Sequence, residues 1–191
     1  MATHFIWICH AATASMRMGR FPGDEPIDDT AVAHAAALAP SLPKARRVWV
    51  SPAQRCRQTA GALGLRGTVE SQLRDCDYGT WLGRSLADIG RHDENALKTW
   101  LSDPASAPHG GESLTGFVSR IGAWVDARRR DAGQTTIVTH PNVIRAAVIH
   151  VLRATPASLK HIDVTPLSLT TFSVHDEKWR LILGASHARN A

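Results

Sequence analysis

Two short apolar runs in this chain each end in a histidine, and this pairing limits the folds that the sequence can adopt. Residues 3–9 (THFIWIC) lead directly to His10, and residues 135–139 (TTIVT) lead directly to His140. Both runs are short and rich in β-branched and aromatic residues, so we predict buried strands rather than helices. Because ligands bind at the carboxyl ends of strands in an open α/β sheet, we expect both histidines at one binding edge.

The rest of the chain alternates between predicted strands and predicted helices. Further strands are predicted at 47–50, 68–70, 167–174 and 179–184, and helices at about 30–40, 52–64, 84–101, 113–130 and 141–152. This alternation predicts an α/β fold, a three-layer α/β/α sandwich in which helices cover both faces of a mostly parallel sheet. The last two strands read as a hairpin, so the sheet should be mixed and contain an antiparallel strand.

Composition indicates one ordinary globular domain over residues 1–191, with 43% hydrophobic and 20% charged residues. The net charge of +5 favours anionic ligands. Nucleic-acid binding is not expected, because the basic residues are scattered apart from Arg128–Arg130 and no aromatic platforms lie between them. No apolar run approaches the roughly 20 residues of a membrane span, and the start does not resemble a signal peptide. We therefore expect no membrane association and a cytoplasmic protein.

The three cysteines, Cys9, Cys56 and Cys76, show no spacing typical of a zinc site. We interpret them as reduced thiols of a cytoplasmic protein and expect no metal.

Three predicted strand ends carry side chains suited to phosphate chemistry: His10, then Ser51 with Arg55, then His140. A neutral imidazole can attack phosphorus and form a covalent intermediate. A guanidinium binds phosphate oxygens in a fork, and a second, protonated imidazole can stabilise charge on the transferred group. The helix N-termini that follow strand ends also favour phosphate. A leaving alkoxide still needs a proton, for which Asp75 and Asp77 are both candidates.

These residues lie in five segments that resemble, in order, the motifs of the histidine phosphatase superfamily, which includes the cofactor-dependent phosphoglycerate mutases. The segments are CHAAT at 9–13, SPAQRCRQTA at 51–60, LRDCDYGTWLG at 73–83, GGES at 110–113 and THPNVIR at 139–145. One such segment alone would be a weak match. Five collinear segments over nearly the whole chain make chance a poor explanation.

The resemblance implies a phosphatase that hydrolyses small phosphomonoesters through a phosphohistidine on His10, without a metal or another cofactor. It implies that Arg55 and His140 hold the phosphoryl oxygens and that Asp75 is the acid, at a position where the family usually has glutamate. Four further residues are expected to line the substrate pocket: Thr13, Ser51, Glu112 and Asn142. The partner would be a small phosphorylated metabolite. Oligomeric state stays open, with a homodimer as one option.

Two positions depart from the family pattern next to the proposed nucleophile. Cys9 stands where the family has arginine, and Ala11 stands where it has glycine. An arginine contact to a charged phosphate is worth about 1.5–3 kcal/mol, or about one to two decades in rate. We expect Arg17, or alternatively Arg20, to approach the site and bind the substrate phosphate instead.

Three alternative functions remain open. A phosphoglycerate mutase-like phosphotransferase would need a bisphosphate primer and further phosphate-binding loops, and the chain shows no extended basic insertion. A degenerate member could bind a phosphorylated ligand or a protein without turnover, as the loss of arginine at Cys9 allows. A cysteine phosphatase is disfavoured, because seven residues separate Cys9 from Arg17 instead of five and the loop between them lacks the expected glycines.

Overall fold

The computed structural model describes residues 3–184, and within this range six strands form one mixed sheet. The strands are β1 Thr3–Cys9, β2 Arg47–Val50, β3 Thr68–Val69, β4 Gln134–Thr139, β5 Leu169–His175 and β6 Lys178–Ile182. Their spatial order is β3-β2-β4-β1-β5-β6. The first four strands in this order all run parallel to one another. β5 runs antiparallel to β1, and β6 antiparallel to β5. The predicted mixed, mostly parallel sheet is confirmed.

Helices connect the strands and cover the sheet. They are α1 Ala14–Arg17, α2 Asp29–Leu38, α3 Gln54–Ala62, α4 Leu86–His92, α5 Glu94–Ser102, α6 Leu114–Asp126 and α7 Pro141–Leu152. Side-chain caps define several starts, such as that of α2, where the Asp28 carboxylate accepts from the Ala31 N–H at 2.8 Å. Within the described residues, no helix is long and apolar enough to cross a membrane.

The central strand β1 contributes side chains to two separate cores. Phe5 and Trp7 pack on one face of the sheet against α6 and α7, and Trp7 meets Trp124 edge-on with ring centroids 5.6 Å apart. Ile6 and Ile8 pack on the other face against α2 and α3. Because successive side chains of a strand point to opposite faces, a strand covered on both sides is apolar throughout. The three-layer α/β/α arrangement is therefore confirmed.

Three predicted helix boundaries were wrong. The helix predicted from residue 52 begins at Gln54, with Ala53 as its N-cap, and the Ser51 hydroxyl has its shorter hydrogen bond, 2.7 Å, to His140. The predicted helix over 84–101 is divided into α4 and α5, because Asp93 ends the first and caps the second through the Ala96 N–H. The helix predicted to reach residue 130 ends at Asp126.

The close packing of α6 on α7 at Gly122 generates a stability prediction. A Cβ at Gly122 would lie 2.4 Å from Nδ1 of His150, whose Nε2 is paired with Asp126 at 3.1 Å. Gly122→Ala should therefore destabilise the protein by about 1–3 kcal/mol through overpacking. Gly61 in α3 has open space around it, so Gly61→Ala should be neutral or stabilise by up to about 1 kcal/mol. Urea unfolding of both variants measures the difference, and equal effects would contradict it.

Candidate active site

The sheet brings His10 and His140 together at its carboxyl edge. β1 and β4 are neighbours in register, with Cys9 opposite Thr139, so the next residue of each strand emerges at the same level. The two imidazole centroids are 5.4 Å apart, and the rings are inclined by 72°. The His10 N–H continues the strand pairing by donating to the carbonyl oxygen of Thr139 at 2.8 Å. The expected convergence of the two histidines is what the structure shows.

Arg55 lies between these imidazoles and is 3% exposed. It belongs to the first turn of α3, which follows β2, the strand beside β4. Its Nε is 3.2 Å from Nε2 of His10, and its Nη2 is 3.0 Å from Nδ1 of His140. Its Nη1 donates to the carbonyl oxygen of Gly23 at 2.6 Å. A guanidinium only donates hydrogen bonds, so each imidazole presents a lone pair to it.

The backbone holds His10 in the protonation state of a nucleophile. Its Nδ1 lies 2.8 Å from the carbonyl oxygen of Ala11, so the proton is on Nδ1 and the lone pair is on Nε2. Burial, together with the positive charge of Arg55, lowers the pKa of His10 to about 4. At neutral pH the ring is therefore uncharged, with an unprotonated Nε2 that faces Arg55.

His140 is also neutral in this arrangement. Its Nδ1 accepts from Arg55, so its Nε2 carries the proton and donates to the Ser51 hydroxyl at 2.7 Å. Burial lowers the pKa of His140 well below its ordinary value, and the positive charge of Arg55 acts in the same direction. The protonated imidazole expected beside a transferred phosphoryl group is thus not the form that His140 takes in these surroundings. A bound dianion would favour protonation of His140, because an opposite charge stabilises the imidazolium.

Of the two candidate acids, the structure brings Asp75 to the histidines. One carboxylate oxygen, Oδ2, lies 3.4 Å from Nη2 of Arg55 and 3.7 Å from Nδ1 of His140. Burial raises the pKa of Asp75, although Arg55 opposes the shift. Asp77 is exposed, and its carboxylate accepts from the Gly79 N–H at 2.8 Å. A carboxyl group with a raised pKa suits a proton donor, so the geometry favours Asp75 for this role.

Backbone hydrogen bonds from residues 109–112 form a clamp that holds the loop carrying Asp75. The Glu112 N–H donates to the carbonyl oxygen of Asp77 at 2.8 Å, and the Thr80 N–H donates to that of His109 at 3.0 Å. A Cβ at Gly111 would lie 2.1 Å from the Asp77 oxygen, so only glycine allows this approach. Gly79 makes an equally close approach to the carbonyl oxygen of His109. Both glycines therefore let the two loops pair closely and hold Asp75 in place.

Glu112 belongs to this clamp, and its predicted place in the pocket lining was wrong. Its carboxylate is bound by Arg120, with Nη2 to Oε2 at 2.7 Å and Nε to Oε1 at 2.9 Å. Arg120 also donates to the backbone carbonyl oxygens of Gln72, Arg74 and Asp75. The pair therefore ties α6 to the backbone of the acid loop.

The predicted arginine replacement was also wrong. Arg17 forms an ion pair with Asp28, and its side chain is 54% exposed. Arg20 is exposed as well, and its backbone forms a bridge with Ser85. Neither Arg17 nor Arg20 therefore takes the place of the arginine that the family pattern has at position 9.

Thr13 is fully buried, and its hydroxyl accepts a hydrogen bond from the Met16 N–H at 3.4 Å. This hydrogen bond caps the start of α1.

Some residues of the site were missed from the sequence. The Gly23 carbonyl binds Arg55, and the Asp24 carboxylate accepts from the N–H of Gln54 at 2.6 Å. Both lie in a loop without a motif, so no sequence signal identified them. Asn142 was predicted to line the pocket, and its amide nitrogen lies 3.3 Å from Oδ1 of Asp75 and 3.0 Å from the hydroxyl of Tyr78. Tyr78 itself was missed, although it lies within a matched motif.

A cavity of about 370 Å³ opens onto these groups. Its wall includes Arg55, Asp75 and His140, and its mouth carries Asp24, Arg74 and Asp77 with apolar Pro22, Pro52 and Leu82. Among residues 3–184, no three His, Cys, Asp or Glu side chains are grouped as metal ligands. The cavity suits a small ligand whose anionic group meets the guanidinium of Arg55 and the imidazole of His140, with His10 directly behind Arg55.

The sequence profile of the histidine phosphatase superfamily (branch 1) matches residues 5–185 of this chain. The chain belongs to the histidine phosphatase superfamily. The profile spans every motif segment described above and extends from β1 to the hairpin of β5 and β6.

Three relatives illustrate the sequence similarity. The bifunctional protein Rv2228c of Mycobacterium tuberculosis is 31% identical over 135 residues, which cover 64% of this chain and 36% of that protein. A glucosyl-3-phosphoglycerate phosphatase of Mycolicibacterium vanbaalenii is 28% identical, with 60% and 55% covered. A 2,3-bisphosphoglycerate-dependent phosphoglycerate mutase of Cytophaga hutchinsonii is 27% identical, with 48% and 46% covered. The residues matched by this chain thus cover between about a third and just over half of the length of these relatives.

Solved structures share the fold. The alpha-ribazole phosphatase of Shigella flexneri superposes with a TM-score of 0.85 at 20% identity, covering 98% of both chains. The mycobacterial glucosyl-3-phosphoglycerate phosphatase Rv2419c in its complex with VO3 gives a TM-score of 0.79 at 26% identity, covering 94% of this chain and 96% of that one. The family and its phosphatase-named homologues support hydrolase activity of the phosphatase type.

The ion pair between Arg120 and Glu112 generates the next prediction. Arg120→Met leaves the carboxylate of Glu112 and several backbone carbonyl oxygens without their donor, so it should destabilise the protein by about 2–4 kcal/mol. Adding Glu112→Gln should recover part of that loss, because the orphaned charge is removed. Urea unfolding of the two single variants and the double variant measures the coupling. Additive losses would show that the two side chains do not act as a pair.

Proposed function

We propose that this chain is a phosphatase that hydrolyses small phosphomonoesters through a phosphohistidine on His10, without a metal. One observation carries the proposal. The unprotonated Nε2 of His10 lies 3.2 Å from Nε of the buried Arg55, which also contacts His140 beside the cavity. A nucleophile, a cation for the phosphoryl oxygens and an acid are thereby within a few ångströms of one another.

In the first step, Nε2 of His10 attacks phosphorus and the bond from phosphorus to the ester oxygen breaks. The electron pair leaves with that oxygen, which takes the proton of Asp75 as it departs. Arg55 and His140 bind the equatorial oxygens of the transferred group and stabilise its charge. The carbonyl of Ala11, which accepts from Nδ1 at 2.8 Å, stabilises the positive ring that results.

In the second step, a water molecule attacks the phosphohistidine. The Asp75 carboxylate accepts a proton from the water as the new bond from oxygen to phosphorus forms. The bond from phosphorus to Nε2 breaks, and its electron pair returns to His10. Inorganic phosphate is released, and Asp75 again carries its proton, so the cycle closes without a further reactant.

The charges at the mouth of the cavity favour hydrolysis over a mutase reaction. A mutase must hold a second phosphate, which needs additional cationic groups. The mouth carries the carboxylates of Asp24 and Asp77 against the single guanidinium of Arg74. Like charges repel a second phosphate in this position.

The structure also disfavours catalysis by Cys9. Its side chain is fully buried, and burial raises the pKa of its thiol to about 12, so a thiolate nucleophile does not form at neutral pH. Cys56 and Cys76 are buried free thiols too. Reduced cysteines fit a protein of the cytoplasm, where we expect it to act on a phosphorylated metabolite.

Replacing the proposed nucleophile tests the reaction. His10→Ala should lower kcat on an aryl phosphate by at least roughly a thousandfold, because the covalent route is removed. Wild-type protein quenched in alkali during turnover should carry an acid-labile phosphoryl group that His10→Ala lacks. His175→Ala, at an exposed histidine, is the control and should retain activity. Equal rates for wild type and His10→Ala would refute the proposal, and loss of activity with EDTA would refute metal independence.

The pKa shifts predict the pH dependence. Activity requires neutral His10, whose pKa is about 4, and protonated Asp75, whose pKa is raised. The value of kcat/KM should therefore increase with pH through about 4 and decrease once Asp75 ionises. Asp75→Asn should lower the maximum of kcat/KM by roughly 10²–10⁴-fold. It should also remove the part of the alkaline decrease in kcat/KM that is caused by ionisation of the enzyme. Profiles of both proteins on one substrate separate this effect from ionisation of the substrate. An unchanged alkaline decrease would exclude Asp75 as the acid.

A further inference from the structure

Arg145 is a second guanidinium near the site that the proposed reaction does not use. It lies on α7, five residues after His140, and its side chain is 26% exposed. Its Nη1 donates to the amide oxygen of Asn142 at 3.0 Å, and its Nη2 lies 3.6 Å from the fully exposed carboxylate of Asp163. Its Nε is buried and has no hydrogen-bond partner in residues 3–184. Much of the guanidinium is therefore turned toward the interior rather than toward solvent.

Asn142 connects Arg145 to the acid. Because a guanidinium only donates, the atom of Asn142 that faces Arg145 must be the oxygen. The amide nitrogen then points the other way, toward Oδ1 of Asp75 at 3.3 Å and the hydroxyl of Tyr78 at 3.0 Å. Arg145 thus determines that the amide nitrogen of Asn142, and not the amide oxygen, faces Asp75.

This orientation distinguishes the two oxygens of Asp75. Oδ1 accepts from the amide of Asn142 and from the backbone N–H of Cys76 at 2.9 Å. Oδ1 has two donors, whereas the one donor to Oδ2 is the more distant Nη2 of Arg55 at 3.4 Å, so the proton of the neutral carboxyl belongs on the remaining lone pair of Oδ2. Oδ2 is the oxygen near Arg55 and His140, on the side where the phosphoryl group is expected.

The position of Arg145 also relates to the missing arginine. Its positive charge opposes the burial effect on the pKa of Cys9 and of Tyr78, so the guanidinium is close enough to both to interact with them electrostatically. With the short side chain of Cys9, no arginine from β1 competes for this region. The chain therefore has a second cation beside the site, supplied by α7 instead of β1.

We propose that Arg145 is a positioning residue for the general acid: by holding Asn142 it directs the protonated oxygen of Asp75 toward the leaving group. The proposal rests on the proposed function, in which Asp75 protonates that group. Arg145 acts through Asn142 and does not itself bind the phosphoryl oxygens.

A titration that needs no turnover tests the link directly. The carboxyl carbon of Asp75 is followed by NMR in the wild type, in Arg145→Met and in Asp163→Asn. Loss of the Asn142 hydrogen bond removes an interaction that favours the carboxylate, so the pKa of Asp75 should rise further in Arg145→Met. Asp163→Asn removes only the exposed partner of Arg145 and should leave that pKa unchanged. An unchanged pKa in Arg145→Met would overturn the proposal.

Kinetics with two leaving groups separate positioning from phosphate binding. Dinitrophenyl phosphate releases a stable anion that needs no proton, whereas glycerol phosphate releases an alkoxide that does. Arg145→Met should lower kcat/KM about ten- to a hundredfold on glycerol phosphate and less than about threefold on dinitrophenyl phosphate. A uniform loss on both would assign Arg145 to the phosphoryl group and overturn the proposal.

Two further comparisons keep the outcome clear. Asn142→Asp retains a partner for Arg145 but cannot donate to Asp75, so it should reproduce the selective loss even if Arg145→Met folds poorly. Asp163→Asn should behave as the wild type on both substrates. If the wild type hydrolyses neither substrate and forms no phosphoenzyme, the proposed function fails, while the titration still decides whether Arg145 controls Asp75.

Discussion

The site depends on one buried positive charge. Arg55 is almost completely enclosed, and its neighbours are two imidazole lone pairs, a backbone carbonyl and a carboxyl group whose own pKa is raised. Burying a guanidinium is costly unless anionic or hydrogen-bonding partners surround it. The neutral imidazoles and the carbonyl provide hydrogen bonds without cancelling the charge. The site is therefore complementary to an incoming dianion, and the same charge helps to keep both histidines neutral before that dianion arrives.

The fold delivers this arrangement through strand register and loop pairing. Three neighbouring parallel strands, β2, β4 and β1, end at the same edge and supply the guanidinium and both rings. Asp75, the proposed acid, comes from an irregular loop, which has no strand to hold it. Its position is held instead by the paired glycine loops and by the Arg120–Glu112 ion pair behind them. Rigid support of a reactive group by residues that never touch substrate is a general requirement of catalytic sites.

The departure at Cys9 changes the electrostatics beside the nucleophile. A neutral, buried thiol stands where the family pattern has a guanidinium, and the nearby arginines of the following segment remain at the surface. Arg145 on α7 contacts the site through the amide of Asn142. In the proposed reaction, one guanidinium binds the phosphoryl group and the second orders the acid. Such a division would lower the intrinsic rate relative to two direct contacts while preserving the chemistry.

The sequence by itself determined the α/β class, the mixed sheet and the adjacency of His10, Arg55 and His140, because apolar runs and strand ends are local signals that parallel strands carry to one edge. The motif segments also pointed to Asp75. Only the tertiary structure decided between Glu112 as pocket wall and Glu112 as partner of Arg120, since both roles need the same residue in the same loop. It also decided that Arg17 stays at the surface with Asp28 and that Arg145 turns toward Asn142. Long polar side chains choose among several partners within reach, and that choice depends on distances between segments that no sequence pattern records.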